Sequence, residues 1–193
     1  MESNDLMDAN VDRLKIVINF LKENWEDPKS GIVAAGIFDP LYPPVLATSY
    51  QIQEGKWIHA ERHALQLFLK KHERPGPDTV VIVTLSPCLK MLSDSRIGNS
   101  CTDLLCKHKL HHVYAGAMDS AQNSFSYKEY KKYGLDLTLS IDKYCKRVCE
   151  GLLKIFQEYG SKVNIDLPTI KNKIGYRIFE LNKNSESYKE VDM

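Results

Sequence analysis

The sequence lacks a membrane-length run of apolar residues and a strong excess of charge of either sign. Residues 1–5, Met-Glu-Ser-Asn-Asp, are acidic and do not resemble the apolar segment of a secretion signal. The 26 Lys and Arg residues almost balance the 25 Asp and Glu residues. Tight, sequence-independent binding to a polyanion usually requires a strong basic excess. We therefore expect a soluble cytoplasmic protein whose overall charge does not indicate a nucleic-acid partner.

Cysteine is scarce and odd in number, with five residues in a chain of 193. They do not show the even, dense spacing of a secreted disulfide framework, so we expect free or metal-bound thiols in a reducing compartment. Hydrophobic residues make up 43% of the chain and charged residues 26%, which is ordinary for a globular protein with a sizeable core.

Apolar periodicity predicts alternating helices and strands. Helical spacing covers residues 7–25, 60–72 and 142–160, whereas strand-like runs cover 32–38, 45–52, 79–85, 113–118 and 135–141. The run 79–85 is rich enough in β-branched residues for a central, buried strand. The last two strands are joined by a segment long enough for a parallel crossover. A further edge strand is expected around residues 176–181. The pattern predicts an α/β fold.

One histidine, one glutamate and two cysteines stand around the predicted central strand. His59 and Glu61 begin the helix before it, Cys88 ends the sequence Thr-Leu-Ser-Pro-Cys directly after it, and Cys101 follows across residues 89–100. Zinc binds Cys sulfur and His nitrogen in a tetrahedron, and a site with three protein ligands leaves its fourth position for water. These residue types indicate a catalytic zinc site.

The order His-Ala-Glu and then Pro-Cys resembles the zinc-dependent cytidine and deoxycytidylate deaminase superfamily, whose signature is H-x-E followed by P-C-x-x-C. The first half matches, but residues 89–100 replace the short spacing between the two cysteines. The resemblance covers about residues 32–141. It implies a three-layer α/β/α sandwich around a mixed five-stranded sheet, with the last two strands parallel. It also suggests a catalytic domain over 1–160 and a C-terminal extension over 161–193 with a partly disordered tail.

Two cysteines compete to be the third zinc ligand. Cys101 and Cys106 are five residues apart in a predicted helix, so one helix face cannot present both to one metal ion. Cys101 follows Asn99 and Ser100, both plausible helix caps, and a thiolate is favoured in the first turn. Cys106 lies beside Leu104 and is better explained as a small buried hydrophobic residue. We predict Cys101.

The resemblance implies a hydrolytic deaminase. Zinc held by His59, Cys88 and Cys101 would activate a water molecule, and Glu61 would carry its proton to a ring nitrogen and help ammonia leave.

Further contacts to the substrate are also implied. Backbone groups at Ala60 and around Ser86 are candidates to hydrogen-bond the base, and Trp57 is a candidate to stack on it. Arg96 belongs to the inserted residues 89–100 and is a candidate phosphate ligand. The insertion is explained equally well as a surface loop without a catalytic role.

The substrate class stays open at the level of sequence. Balanced charge favours a free base, nucleoside or nucleotide of the cytosine type, but an RNA or DNA deaminase, of editing or toxin type, could carry its basic surface locally. The clusters at residues 107–112 and 128–132 could contact phosphate or be solvated helix ends. The asparagine that holds the sugar in many relatives is absent from the second strand. The sequence leaves open whether the chain forms a homo-oligomer.

Two further alternatives are a metalloprotease and a non-catalytic zinc-binding protein on the same fold. His59 and His63 have the spacing of the protease motif H-E-x-x-H, but position 60 is Ala and the Glu is at 61. His63 is better read as a core residue or a neighbour of the ligands. Glu61 argues against the non-catalytic alternative, because a purely structural zinc site needs no proton shuttle.

Overall fold

The computed structural model describes residues 3–53, 56–89, 100–119, 127–159 and 167–180. Its elements follow one another in the order α1 (Ser3–Glu23), β1 (Ser30–Phe38), β2 (Val45–Gln53), β3 (Lys56–Ile58), α2 (Ala60–Lys71), β4 (Val80–Leu85), α3 (Cys101–Lys107), β5 (His112–Ala117), α4 (Tyr127–Lys132), β6 (Asp136–Leu139), α5 (Lys143–Tyr159), α6 (Leu167–Ile174) and a 3-10 turn (Gly175–Ile178). Within these ranges, no helix combines the length and the apolar character that a membrane span requires.

The strands form one mixed sheet in the order β3-β2-β1-β4-β5-β6. The pairs among β3, β2, β1 and β4 are antiparallel, whereas β4 pairs with β5 and β5 with β6 in parallel. The predicted parallel arrangement of the last two strands is therefore confirmed, and α4 lies in the crossover between them. Parallel neighbours bring their carboxyl ends to one edge of the sheet, which is where Cys88 follows β4.

The described sheet has six strands rather than the five that we expected. The additional strand, β3, spans three residues and pairs with β2 so that Trp57 lies opposite Gln51. Three residues are too few for alternating burial to be recognised in a sequence, so the prediction placed them in the approach to α2. The short strand directly precedes His59 and fixes the direction in which the chain enters that helix.

Helices cover both faces of the sheet and confirm the three-layer sandwich. One face is packed by α1 and α5 through a cluster that includes Leu14, Ile18, Val148 and Leu152. The other face carries a second cluster in which α2, α3 and α4 contribute the buried side chains Ala64, Leu65, Phe68, Leu105 and Tyr130. Strand β4 is buried on both faces, as its near-continuous β-branched run predicts.

The C-terminal region contradicts one sequence prediction. Residues 176–180 belong to a 3-10 turn and the residues after it, not to the predicted edge strand 176–181, of which Leu181 lies outside the described residues. Ile174 and Ile178 are four residues apart, which places both on one side of a helical segment facing the α1 and α5 cluster. The ring of Phe179 packs edge-on against Trp25 at 5.1 Å between centroids. Packing against a helical layer therefore overrides the strand-like composition. The predicted disordered tail, residues 181–193, lies outside the described residues.

Candidate metal centre

Each of the three predicted ligands lies at the end of a regular element. His59 is the residue before α2, with an extended backbone that connects β3 to the helix. Cys88 follows β4, and Cys101 is the first residue of α3. The start of α3 is stabilised by Ser100, whose hydroxyl oxygen accepts a hydrogen bond from the Asp103 backbone N–H at 3.1 Å. The predicted cap at Ser100 therefore places Cys101 in the first helical turn.

The three side chains converge closely enough to bind one metal ion. The ligand atoms of His59, Cys88 and Cys101 all lie within 4.8 Å of one another. Nδ1 of His59 is 3.7 Å from Sγ of Cys88 and 3.4 Å from Sγ of Cys101. Nitrogen and sulfur ligands at about 2.0–2.3 Å from a tetrahedral zinc ion are separated by roughly 3.6 Å. The observed distances and the donor types therefore fit zinc.

The structure separates the two cysteines that competed for the third position. Within the described part of the chain, the group of potential metal ligands contains Cys101 and not Cys106. Cys106 is half-buried and packs beside the cluster that α2 and α3 share. Burial raises the pKa of its thiol, and the carboxylate of Asp103 raises it further. Its surroundings are those of a small packing residue.

The two thiols of the group interact with each other and with His59. The Cys101 side chain hydrogen-bonds to Cys88 and, together with His59, lowers the pKa of Cys88 to about 4. The Cys101 backbone N–H also donates to Sγ of Cys88 at 3.2 Å. The same thiol pair and its burial raise the pKa of Cys101. Zinc binds cysteine as the thiolate, so metal binding would displace any proton that this pair of thiols holds.

Glu61 is a buried carboxyl group next to these ligands. It lies in the first turn of α2, two residues after His59, and only 4% of its surface is exposed. Burial raises the pKa of Glu61, whereas the neighbouring His59 lowers it. A buried carboxyl group of this kind can both accept and donate a proton, which is what general acid–base chemistry requires.

The residues predicted to contact a substrate are found in different surroundings. Ala60 is buried at the first position of α2, whereas Trp57 is half-exposed on the edge strand β3. The side chain of Ser86 is buried and engaged within the protein, since its oxygen accepts a hydrogen bond from the Asp119 backbone N–H at 2.9 Å and lies 3.2 Å from the Tyr130 hydroxyl oxygen. Arg96 lies outside the described residues.

His63, which has the spacing of a second protease histidine, is not part of the metal group. Its Nδ1 lies 2.9 Å from the Thr48 carbonyl oxygen. A carbonyl oxygen can only accept, so Nδ1 carries the proton. The ring also lies 5.6 Å from that of Tyr50. His63 therefore joins α2 to β2.

Sequence reasoning missed Tyr130. The residue lies in the six-residue helix α4, which has four charged residues and was noted only for its basic side chains, yet the side chain of Tyr130 is fully buried. Its hydroxyl donates a hydrogen bond to the Pro87 carbonyl oxygen at 2.8 Å. Burial raises the pKa of Tyr130 to about 12, so the hydroxyl remains a donor at neutral pH. A helix of six residues is too short for periodicity to reveal a buried face.

The end of the basic cluster at residues 107–112 lies at the end of the strands opposite the metal group. His112 begins β5 and pairs with Val80, whereas Leu85, close to Cys88, pairs with Ala117 at the other end of the same strands. Five residues at about 3.3 Å each separate the two edges by roughly 16 Å. His111 contacts the Gly134 carbonyl oxygen at 2.9 Å, on the same far side.

Comparison with known proteins agrees with the donor set. Residues 15–117 match the family model described as the cytidine and deoxycytidylate deaminase zinc-binding region, a range that contains His59, Cys88 and Cys101. No curated protein shows a significant match to the sequence.

Solved structures provide the second comparison. The chain is similar to a diaminohydroxyphosphoribosylaminopyrimidine deaminase/5-amino-6-(5-phosphoribosylamino)uracil reductase from Thermotoga maritima, with 19% identity over 76% of this chain and a TM-score of 0.52. The match covers 40% of the Thermotoga protein, so this chain corresponds to less than half of it, and at this identity the likeness concerns the fold. A dCMP deaminase from the cyanophage S-TIM5, solved with dCMP and dUMP, is 16% identical over 72% of this chain and 98% of its own, with a TM-score of 0.49.

Proposed function

The chain belongs to the cytidine and deoxycytidylate deaminase family, and from this premise we propose that His59, Cys88 and Cys101 hold the zinc of a hydrolytic deaminase whose proton shuttle is Glu61. The class of enzyme, a zinc-dependent hydrolytic deaminase, follows from the family. The convergence of two sulfur atoms and one imidazole nitrogen beside a buried carboxyl group is the observation that carries the assignment of residues.

The chemistry divides between the metal and the protein. Zinc held by these residues would lower the pKa of a bound water molecule to about 7 and so would supply a nucleophile at neutral pH. Glu61 accepts a proton at its carboxylate, delivers it to a ring nitrogen of the base and then helps the amino group to leave as ammonia. His59, Cys88 and Cys101 would hold the metal, and Glu61 is assigned to proton transfer rather than to metal binding.

Recognition of the base is assigned to the residues around the ligands. Backbone groups at Ala60 and around Ser86 are proposed to hydrogen-bond the base, and Trp57 to stack on it. The buried positions of Ala60 and Ser86 beside His59 and Cys88 support this proposal. Arg96, outside the described residues, is proposed as a ligand for a substrate phosphate.

The proposed substrate is a free base, nucleoside or nucleotide, with cytosine as the favoured base. The net charge of +1 supports a small substrate over a polynucleotide. The position of His112 also supports it, because this residue begins β5 about five strand residues away from the metal group, at the opposite end of the strands.

Ammonia release from a panel of cytosine, adenine and guanine compounds, free and within DNA or RNA, tests this function. We expect release from a monomeric cytosine compound, and we expect Glu61→Gln to reduce kcat by about 10²–10⁴-fold while zinc content is unchanged. Full activity in Glu61→Gln would refute the assigned shuttle. Release from a polynucleotide alone would refute the proposed substrate class in favour of a nucleic-acid deaminase.

A further inference from the structure

Tyr130 links the crossover helix α4 to the segment that carries Cys88. Its hydroxyl donates to the Pro87 carbonyl oxygen at 2.8 Å and lies 3.2 Å from the Ser86 hydroxyl oxygen. The side chain has no exposed surface and belongs to the cluster beneath α2 and α3. Forty-three positions separate the donor and the acceptor in the sequence, so only the fold brings them together.

The segment from Ser86 to Cys88 is held from several sides. The Ser86 backbone N–H donates to the Ala117 carbonyl oxygen at 2.9 Å, which extends the pairing of β4 with β5. The Cys88 carbonyl oxygen accepts from the Thr102 backbone N–H of α3 at 3.2 Å. Between these two points, the carbonyl group of Pro87 receives its hydrogen bond from Tyr130.

The Pro87 carbonyl group belongs to the peptide unit that leads directly into Cys88. A planar peptide unit moves as a whole, so the direction of this carbonyl group also sets the position of the Cys88 Cα atom and of its side chain. A buried carbonyl group without a donor is unfavourable, and its peptide unit tends to turn toward another donor. Loss of the Tyr130 hydroxyl should therefore turn the Pro87 peptide unit and shift the side chain of Cys88.

We propose that Tyr130 is a positioning residue of the metal centre, which keeps Sγ of Cys88 near Nδ1 of His59 by fixing the Pro87 peptide unit. The inference rests on the proposed function of His59, Cys88 and Cys101 as zinc ligands. Tyr130 acts through Pro87 and Cys88 and does not contact the reacting atoms. It makes α4, which lies outside the sequence range matched by the family, part of the support of the site.

Replacing Tyr130 by Phe tests the hydroxyl, because the ring and its packing are retained. Tyr114→Phe is the matched control: Tyr114 is also buried but lies in the cluster on the other face of the sheet, beneath α1 and α5. Zinc affinity is measured by competition with a chelator of known affinity, and the ligand geometry by the absorption spectrum of the Co²⁺-substituted protein. Steady-state kinetics then separates kcat from KM.

We expect Tyr130→Phe to weaken zinc binding by about tenfold or more, to change the Co²⁺ spectrum and to lower kcat with KM nearly unchanged, whereas Tyr114→Phe behaves as wild type. Equal zinc affinity and identical Co²⁺ spectra in the two variants would overturn the inference. A wild-type protein that binds no zinc would instead overturn the proposed function, and the zinc titration distinguishes these two outcomes without relying on activity.

Discussion

Single residues decide which sulfur atoms reach the metal. Cys101 and Cys106 occupy the same seven-residue helix, but only the residue in the first turn faces Cys88 and His59. The cap at Ser100 determines where that helix begins and therefore which cysteine is placed in its first turn. The cap at Ser100 thus helps to place Cys101, and not Cys106, beside the other two potential ligands.

Cys101→Ser and Cys106→Ser form a matched pair of variants. We expect Cys101→Ser to lose most of its bound zinc, because two ligands and a hydroxyl bind zinc far less tightly than the full donor set, whereas Cys106→Ser keeps about one zinc per chain. Metal content of the purified variants by atomic emission measures this. Normal zinc in Cys101→Ser together with loss in Cys106→Ser would reverse the assignment.

At the scale of elements, helix α6 is joined to the end of α1 and the start of β1 by a buried lysine. Nζ of Lys171 donates to the carbonyl oxygens of Asp27 at 2.7 Å and Ser30 at 2.9 Å. The Trp25 indole N–H in turn donates to the Lys171 carbonyl oxygen at 3.2 Å. Although burial lowers the pKa of Lys171, these acceptors explain how a lysine is accommodated there. Residues 167–180 are thus packed against the core.

Lys171→Met should destabilise the protein by about 2 kcal/mol, because two hydrogen bonds from a charged donor are lost, partly offset by the removal of a desolvated charge. Lys173→Met is the control, since Lys173 lies on the same helix and is exposed. Urea unfolding of both variants measures the change. An equal effect in the two variants, or no effect in Lys171→Met, would show that the buried hydrogen bonds do not stabilise α6.

For the whole molecule, the metal group joins parts of the chain that are far apart in sequence. His59 precedes α2, Cys88 follows β4 and Cys101 begins α3, so one ion would cross-link three elements on the same side of the sheet. Ligands that bind the folded state and not the unfolded state stabilise the fold according to their affinity. Zinc should therefore contribute to stability as well as to catalysis.

Removal of zinc by a chelator should lower Tm by roughly 10 °C. Saturation at 1,000 times Kd is worth about 4 kcal/mol, and each kcal/mol changes Tm by about 2–4 °C in a protein of this size. Differential scanning calorimetry with and without chelator measures the shift. Glu61→Gln, whose ligands are intact, should show the same shift, whereas Cys101→Ser should show little. An unchanged Tm in chelator-treated wild type would contradict a cross-linking role.

The α/β class, the parallel crossover and the donor set were predictable because each depends on a local pattern. Strand β4 reads as a run of β-branched residues, and His59, Glu61 and Cys88 stand in short motifs next to predicted element ends. The prediction of Cys101 as the third ligand also depended on its neighbours in the sequence, the candidate helix caps Asn99 and Ser100. Strand β3 and the helical C-terminal region were not predictable, since three residues show no period and the course of residues 174–179 follows from packing against α1 and α5.

The sequence by itself determined which residue types are available for chemistry. It also determined roughly where the regular elements begin and end, because the boundaries of helices and strands depend on residues that are close along the chain. Only the tertiary structure decided which of these side chains come into contact. The approach of Cys101 to His59, the burial of Glu61 and the hydrogen bond from Tyr130 to Pro87 join positions that are distant in sequence. Such contacts arise from helices packing on a twisted sheet, and no local pattern encodes their distances.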